Sequence, residues 1–366
     1  MHVLCSKTDL NNAISMVQRT IATRSTMPIL EGILFSAEDH LSLTGYDLET
    51  GIEASVNAEI REEGSLVFKS KIFGDIVRKL PEETVIIKSD DKYKVSIESG
   101  QAKFEIFAQT AVDYPRIPDV EETQKLVLPQ KTLKHMIEQT IFATSHDEGR
   151  PILNGIKVKA NENLIEMVAI DGFRLAVRRQ EHEGSNEILD FIVPNKAMYE
   201  VARGIEADEE KIAIFPSHNH IQFETDSFKL VSRLIEGDFL DYQRIIPPSC
   251  NSRMRVSAKE MLAAIERASL LINVEQRRFP VSLKTLSENE LEISAKTDLG
   301  SVEERIRIDL DGEDIDIDFN PKYFLESLGA IEEEDVYLEF GGVSAPCLIK
   351  PLEGESFVYM VLPLRR

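Results

Sequence analysis

Apolar residues return at helical spacing in three stretches of the chain: SKTDLNNAISMVQRTI from Ser6, PQKTLKHMIEQTIFAT from Pro129 and SAKEMLAAIERASLLI from Ser257. In the first, Leu10, Ile14, Val17 and Ile21 share one helix face, and Leu133, Ile137 and Ile141 repeat the stripe in the second. Leu262, Ile265 and Leu270 repeat it more loosely in the third, and Ser6 and Ser257 are placed as N-caps. Alternating apolar and polar residues follow each helix, from Gly32, Gly155 and Val281, and predict paired strands that end at Asp47, Asp171 and Asp298. These aspartates lie 124 and 127 residues apart. A second helix then recurs with Lys71, Lys196 and Lys322, which are 125 and 126 residues apart. Acidic turns (PEET, EADEE, EEED) and further strand pairs close each unit, and the first two units end alike, in DYPRIP from Asp113 and DYQRIIP from Asp241. Several landmarks keep one period, which predicts three homologous domains over residues 1–122, 123–250 and 251–366. Each reads as an α+β unit of two helices and roughly eight mostly antiparallel strands.

Charge changes the picture. The 366 residues carry a formal charge of −22, which by itself argues against a nucleic-acid partner. The distribution is uneven, however. Windows 7–24, 69–80, 130–144, 195–205, 257–270 and 321–331 hold 14 Lys and Arg against seven Asp and Glu, so the predicted helices carry +7 and the remainder −29. Two readings stay open: ordinary solvated helix faces in an acidic protein, or a segregated surface that faces a polyanion. No apolar run reaches the length of a membrane span, and the start reaches polar residues too soon for a signal peptide. Cys5, Cys250 and Cys347 are sparse and lack CxxC spacing, which fits a reduced, cytoplasmic location rather than a disulfide scaffold.

Catalytic chemistry is poorly represented. The chain contains no GxGxxG, GxxxxGK[ST], HExxH or GxSxG motif and no EF-hand loop. His218 and His220 in SHNH could offer two ligands, but a hairpin turn accounts for them more simply. Asp314, Asp316 and Asp318 alternate with Ile315 and Ile317, which reads as a strand with one wet and one core face. The alternative, a metal-dependent hydrolase using that aspartate-rich strand, requires a divalent cation there. The repeated aspartates 47, 171 and 298, one per domain, are assigned a turn role. No cofactor, metal site or catalytic residue is expected.

MPILEGILF (27–35), PILNGIKV (151–158), AIDGFRLA (169–176), LDYQRIIP (240–247) and YMVLPLRR (359–366), in this order, closely resemble the bacterial sliding clamps, the beta-subunit family of DNA polymerase III. The likeness spans the whole chain. It implies a DNA sliding clamp and processivity factor without catalysis: a head-to-tail homodimeric ring of six domains whose twelve helices line the hole. Twelve helices each about 10 Å across make a circle of about 38 Å at their axes, leaving about 28 Å clear, wide enough for a duplex. Such a ring would hold double-stranded DNA without reading its sequence and would tether the replicative polymerase, the clamp loader and other proteins bearing a clamp-binding motif.

The resemblance also implies site residues. Arg24, Lys71, Arg150 and Lys196 match basic residues that approach DNA phosphates, while Pro151 and Ile152 stand where relatives often carry tyrosines. A cleft for a peptide of the glutamine-leucine-x-leucine-phenylalanine type would use Leu153, Ile170, Gly172, Phe173, Arg174, Leu175, Leu240, Arg244, Ile245, Ser344, Pro346, Met360, Leu362, Pro363, Leu364 and Arg365. Arg174, Arg244 and Arg365 are expected at its rim. Ile170, Phe173 and Leu240 replace residues common in the family (Thr, a ring such as His, and Pro) and make the pocket greasier. Lys103, Phe104 and Ile106 on an edge strand of the first domain would meet Leu270, Leu271, Glu303 and Glu304 of the third domain in the other subunit.

Overall fold

The structure of the protein, a computed structural model, describes residues 1–21, 25–182, 188–272, 279–342 and 344–364. Six α-helices are present among them: α1 (Lys7–Val17), α2 (Ser70–Lys79), α3 (Gln130–Glu138), α4 (Asn195–Gly204), α5 (Ala258–Ile272) and α6 (Pro321–Gly329). The paired helices and antiparallel strands expected for each repeat are there. The first helix of each copy starts where the preceding strand gives way to helical periodicity. Ser6 caps α1 by accepting from Asp9 N (3.2 Å), and Ser257 Oγ accepts from Glu260 N (3.3 Å) at α5. Both α1 and α3 are shorter than their sequence windows. Each tightens into a 3₁₀ turn, Gln18–Thr20 and Ile141–Ala143, where threonine hydroxyls turn back to donate to Val17 O and Ile141 O. The buried stripe of α5 also differs from expectation: Met261, Ala264, Ile265, Ala268 and Ile272 face inward, and Leu270 is 67% exposed. The small Ala264 and Ala268 let the helix lie close to its sheet, so the inward side is marked by alanines rather than by the large leucines.

The chain forms two compact units. The first comprises Met1–Lys131 with Glu200–Leu234. It contains a five-stranded antiparallel sheet in the order Ala58–Glu62, His2–Ser6, Thr84–Ser89, Lys94–Ser99, Ala102–Phe107. Its nine-stranded sheet runs from Gln109–Thr110 through Leu41–Tyr46 and Thr50–Val56 to Phe228–Arg233 and Leu126–Pro129. There, Leu230 pairs with Ile52 and Val231 with Gly51. α1 approaches this sheet so closely that a Cβ at Gly45 would lie 2.2 Å from Val17 O, which leaves room only for glycine.

The second unit comprises Thr132–Tyr199 with Ile235–Arg366. Its nine-stranded sheet has the order Leu189–Pro194, Gly155–Ala160, Leu164–Ile170, Arg174–Glu181, Phe357–Val361, Cys347–Pro351, Asp335–Phe340, Ser252–Ser257, Asp309–Gly312. A four-stranded sheet is built from Gly300–Arg307, Glu290–Thr297, Val281–Ser287 and Asp316–Phe319. Both nine-stranded sheets join strands from neighbouring repeats, so the compact units divide the chain differently from the sequence period. The repeat is nevertheless visible in the packing. Phe68 just before α2 meets Phe73 at 4.3 Å between ring centroids, and Phe319 just before α6 meets Phe324 at 4.8 Å. Each fully buried phenylalanine contributes about 1.5–3 kcal/mol and fastens its helix to the sheet beneath.

Candidate binding cleft and basic surface

The hairpin Leu164–Ile170 and Arg174–Glu181 carries the centre of the candidate cleft. Asp171 makes the turn: its Oδ1 accepts from Phe173 N (2.9 Å) and Arg174 N (3.0 Å), and Gly172 adopts φ +93°. Asp47 plays the same part in the first repeat, accepting from Glu49 N (3.0 Å) and Thr50 N (2.7 Å). In the third repeat Thr297 Oγ1 accepts from Leu299 N (3.1 Å) at the corresponding turn. Because side chains alternate along strands, Val168, Ile170, Leu175 and Val177 all project from one face. Leu348, Val358 and Met360 continue that floor across the neighbouring strands, and Leu153 and Tyr242 close over it, with Phe239, Ile246 and Leu362 against the edge. Leu153, Ile170, Leu175, Met360 and Leu362 from the expected set thus come together. Tyr242, Val168, Val177, Leu348 and Val358 belong to the same cluster and were not anticipated.

The rim comes from two segments. Residues 240–245 turn tightly: Tyr242 N donates to Leu240 O (2.8 Å) and Ile245 N to Tyr242 O (3.0 Å). This buries Tyr242 and leaves Leu240, Arg244 and Ile245 at the surface, with Arg244 Nε in an ion pair with Asp241 (2.8 Å). Beyond Phe357–Val361 the chain end is fastened on both sides, as Leu362 N donates to Phe173 O (2.9 Å) and Leu364 N to Asp318 O (2.8 Å). Pro363 bridges to Phe319 between them. Leu364 is partly exposed, and Ser344 and Pro346 lie in the turn leading to Leu348.

Arg174 departs from its expected rim position. It is only 6% exposed, and its guanidinium donates to Asp171 Oδ2 (2.9 Å) and to Glu326. It also lies over the rings of Tyr323 (4.8 Å) and Phe142 (5.6 Å), while Phe173 stacks on Tyr323 at 6.0 Å. Two carboxylates neutralise it, so it organises the cleft wall instead of offering an open charge. Glu326 is far away in sequence, and only the fold reveals it.

A cavity of about 780 Å³ adjoins this wall and is bordered by Arg150, Lys196, Lys322, Gly172 and Phe173. Arg150 and Lys196 therefore share one opening with part of the cleft. Lys71 lines a separate cavity of about 810 Å³ at the start of α2, with Lys69 and Arg78. Arg24 and Arg365 lie outside the described residues.

Among the candidate interface residues, Phe104 pairs with Ile97 and Ile106 with Val95 on the last strand of the five-stranded sheet. Phe107, on the opposite face of that strand, is 75% exposed and had no signal beyond its apolarity. Leu270 and Leu271 end α5, and Gly300–Arg307, which carries Glu303 and Glu304, is the edge of the four-stranded sheet. Lys103 pairs within the chain with Glu98 (3.1 Å), and Arg267 pairs with Glu304, holding that carboxyl below its usual range.

The remaining candidates have structural roles. His218 sits in the turn before His220–Glu224, with Ser217 N donating to His220 O (2.8 Å). Ile315 and Ile317 are buried, while on the wet side Thr285 Oγ1 donates to Asp314 (3.0 Å) and Ser282 Oγ to Asp318 (2.5 Å). Among the described residues no helix is long and apolar enough to cross a membrane.

Three family models match in order along the chain. They describe the DNA polymerase III beta subunit: its N-terminal domain at residues 1–118, central domain at 127–241 and C-terminal domain at 243–365. The beta sliding clamp of Bacillus subtilis is 32% identical over 377 residues, and that of Halalkalibacterium halodurans is 31% identical over 379, each match covering both chains completely. Among solved structures, the sliding clamp from Bacillus subtilis superposes with a TM-score of 0.95 at 32% identity, covering 100% of this chain and 99% of the other. A putative DNA polymerase III beta subunit from Eubacterium rectale gives 0.94 at 36% identity with the same coverage. The Pseudomonas aeruginosa clamp bound to griselimycin gives 0.92 at 27% identity, with both chains fully covered.

Proposed function

The chain belongs to the DNA polymerase III beta subunit family, the bacterial sliding clamps, and we propose that two copies close head to tail around duplex DNA in the cytoplasm. As a clamp it is a non-catalytic processivity subunit of the polymerase holoenzyme, and it binds DNA and polymerase. The hydrolase reading of the aspartate-rich strand finds no support. The observation that carries the proposed closure is the pair of sheet edges: Ala102–Phe107, bearing Phe104 and Ile106, and Gly300–Arg307, which packs against the helix that ends in Leu270 and Leu271. An edge strand needs a partner, and a heterologous contact made twice closes a ring. Lys103 would then face Glu303 and Glu304 of the second copy. Domain boundaries near residues 122 and 250 belong to this reading.

Arg24, Lys71, Arg150 and Lys196 would approach phosphates without reading bases, which lets the ring slide. The surface that Leu240, Ile245, Leu362 and Leu364 present, backed by the buried Val168, Ile170, Leu175, Val177 and Met360, would receive the leucine-phenylalanine end of a partner peptide, from the polymerase, the clamp loader or other motif-bearing proteins. The test is topological. Protein assembled on closed circular DNA is expected to stay through a high-salt gel-filtration step and to leave when the DNA is linearised. Phosphate contacts fade with salt, whereas a closed ring does not depend on them. Equal loss from circular and linear DNA would overturn encirclement.

A further inference from the structure

We infer that the Tyr242 hydroxyl and the Glu166 carboxylate together position the 239–246 segment over the cleft floor, and so set the affinity of the partner peptide. The inference rests on the cleft reading above. Tyr242 is almost fully buried, and its hydroxyl donates to Glu166 Oε1. Glu166 is buried too, and its second oxygen accepts from Arg179 Nε (2.7 Å). Sheet register explains the cluster: Lys159 pairs with Glu166, and Glu166 with Arg179, so the three charged side chains form one row across three strands. Lys159 Nζ also lies 5.8 Å from the centre of the Tyr242 ring. Glu166 is thus a carboxylate in a buried place, flanked by two cations and aimed at one hydroxyl.

The first repeat supplies an internal control. Its equivalent row is Ser36, Ser42 and Ser55, paired across the same three strands. Tyr114, the counterpart of Tyr242, donates to the backbone oxygens of Gly32 (3.4 Å) and Thr44 (3.3 Å). The same Asp-Tyr segment is therefore held in both copies, by backbone acceptors in the first and by a charged side chain in the second. A hydrogen bond to a charged group is roughly twice as strong as a neutral one. The stronger tether falls in the copy whose segment presents Leu240, Arg244 and Ile245 beside an apolar floor. The rest of the segment is held by its short turn bonds, the Arg244–Asp241 pair and packing of Phe239 and Ile246, while the hydroxyl supplies a directed hydrogen bond to the sheet.

The experiment measures fluorescence anisotropy of a labelled glutamine-leucine-x-leucine-phenylalanine peptide against full-length protein. Tyr242→Phe is expected to weaken binding about tenfold, the effect of losing one charge-assisted hydrogen bond, and Glu166→Leu, which also strips Arg179 of its partner, at least as much. The double variant should be no weaker than Glu166→Leu alone, because that change already removes the bond that Tyr242→Phe removes. Glu166→Gln retains an acceptor oxygen but loses the charge, and should bind about threefold more weakly than the parent, between the parent and Glu166→Leu. Dimer mass and melting temperature, read alongside, separate loss of the tether from loss of the fold; if Tyr242→Phe melts early, Glu166→Gln and Glu166→Leu decide the matter. Additive losses in the double variant, or Tyr242→Phe binding as the parent does, would overturn the inference. Removal of residues 362–366 tests the cleft itself. If truncation leaves peptide affinity unchanged, the cleft reading falls; if truncation abolishes binding while Tyr242→Phe does not weaken it, only the tether falls.

Discussion

Lys7 N donates to Glu83 O (2.7 Å), Gln130 N to Glu210 O (2.7 Å) and Ala258 N to Glu334 O (2.9 Å), so the acidic turn that closes each second helix returns to the start of the first. Helix starts expose unpaired N–H groups and a partial positive charge, which accounts for acidic turns there in all three copies. At α1 the side chain joins in, with Ser6 Oγ (2.5 Å) and Thr8 N (2.9 Å) both donating to Glu83 Oε1. The Ser6 hydrogen bond, followed by that from Thr8, holds the Glu83 carboxyl below its ordinary value of 4.5. A carboxylate whose folded pKa is lowered stabilises the fold fully above its unfolded pKa and loses that contribution as pH falls through the folded one. Glu83→Ala should therefore melt below the parent at pH 7, and the gap should close as the pH drops below about 4.5. A thermal-melt series over that range checks it, and a gap that persists unchanged in acid would assign the effect to packing instead.

Helices and turns were legible where the signal is local. The Leu10, Ile14 and Val17 stripe is buried as its spacing predicts, and Asp47 and Asp171 cap turns as their recurrence suggested. At α5 the pattern held for Ile265 but misled at Leu270, because Ala264 and Ala268 mark the inner side less loudly than the outward Leu270 marks the outer. Pairing such as Phe228–Arg233 with Thr50–Val56, or Arg174–Glu181 with Phe357–Val361, joins strands more than a hundred residues apart and leaves no periodic trace. The cleft shares that fate. Its residues could be named by resemblance, but the Arg174–Glu326 pair and the row under Tyr242 depend on register. The outward Leu270 carries a consequence at this scale. Replacing Ile106 and Leu271 with aspartate should set unpaired charge into an apolar contact, at a cost of several kcal/mol. Folded monomers are expected, with circular dichroism intact and the dimer peak lost in analytical ultracentrifugation; a variant that still sediments as a dimer would move the interface elsewhere.

For the molecule as a whole, the decisive quantity is how 42 basic and 64 acidic residues are divided. The sequence windows that contain the helices hold a surplus of seven positive charges in a chain of net −22, so attraction to phosphate is local and shallow. A clamp benefits from that arrangement: strong phosphate contacts would make it grip one site, and none would leave the duplex unguided. Each phosphate contact releases condensed counterions and contributes about 0.9 to the slope of log affinity against log salt. Lys71→Ala with Arg150→Ala should accordingly weaken equilibrium binding to a short linear duplex and reduce the slope by about 0.9 for each contact removed. Both side chains are solvent-exposed, at the starts of α2 and of the 3₁₀ turn Pro151–Asn154, so the fold and the dimer should be unaffected. Retention on closed circular DNA should also be unchanged, because topology and not charge holds the ring there. Fluorescence polarisation across a salt series gives the slope, and gel filtration with circular DNA gives retention. If the two substitutions shorten retention on circles as much as they weaken linear binding, phosphate contacts rather than closure hold the protein on DNA.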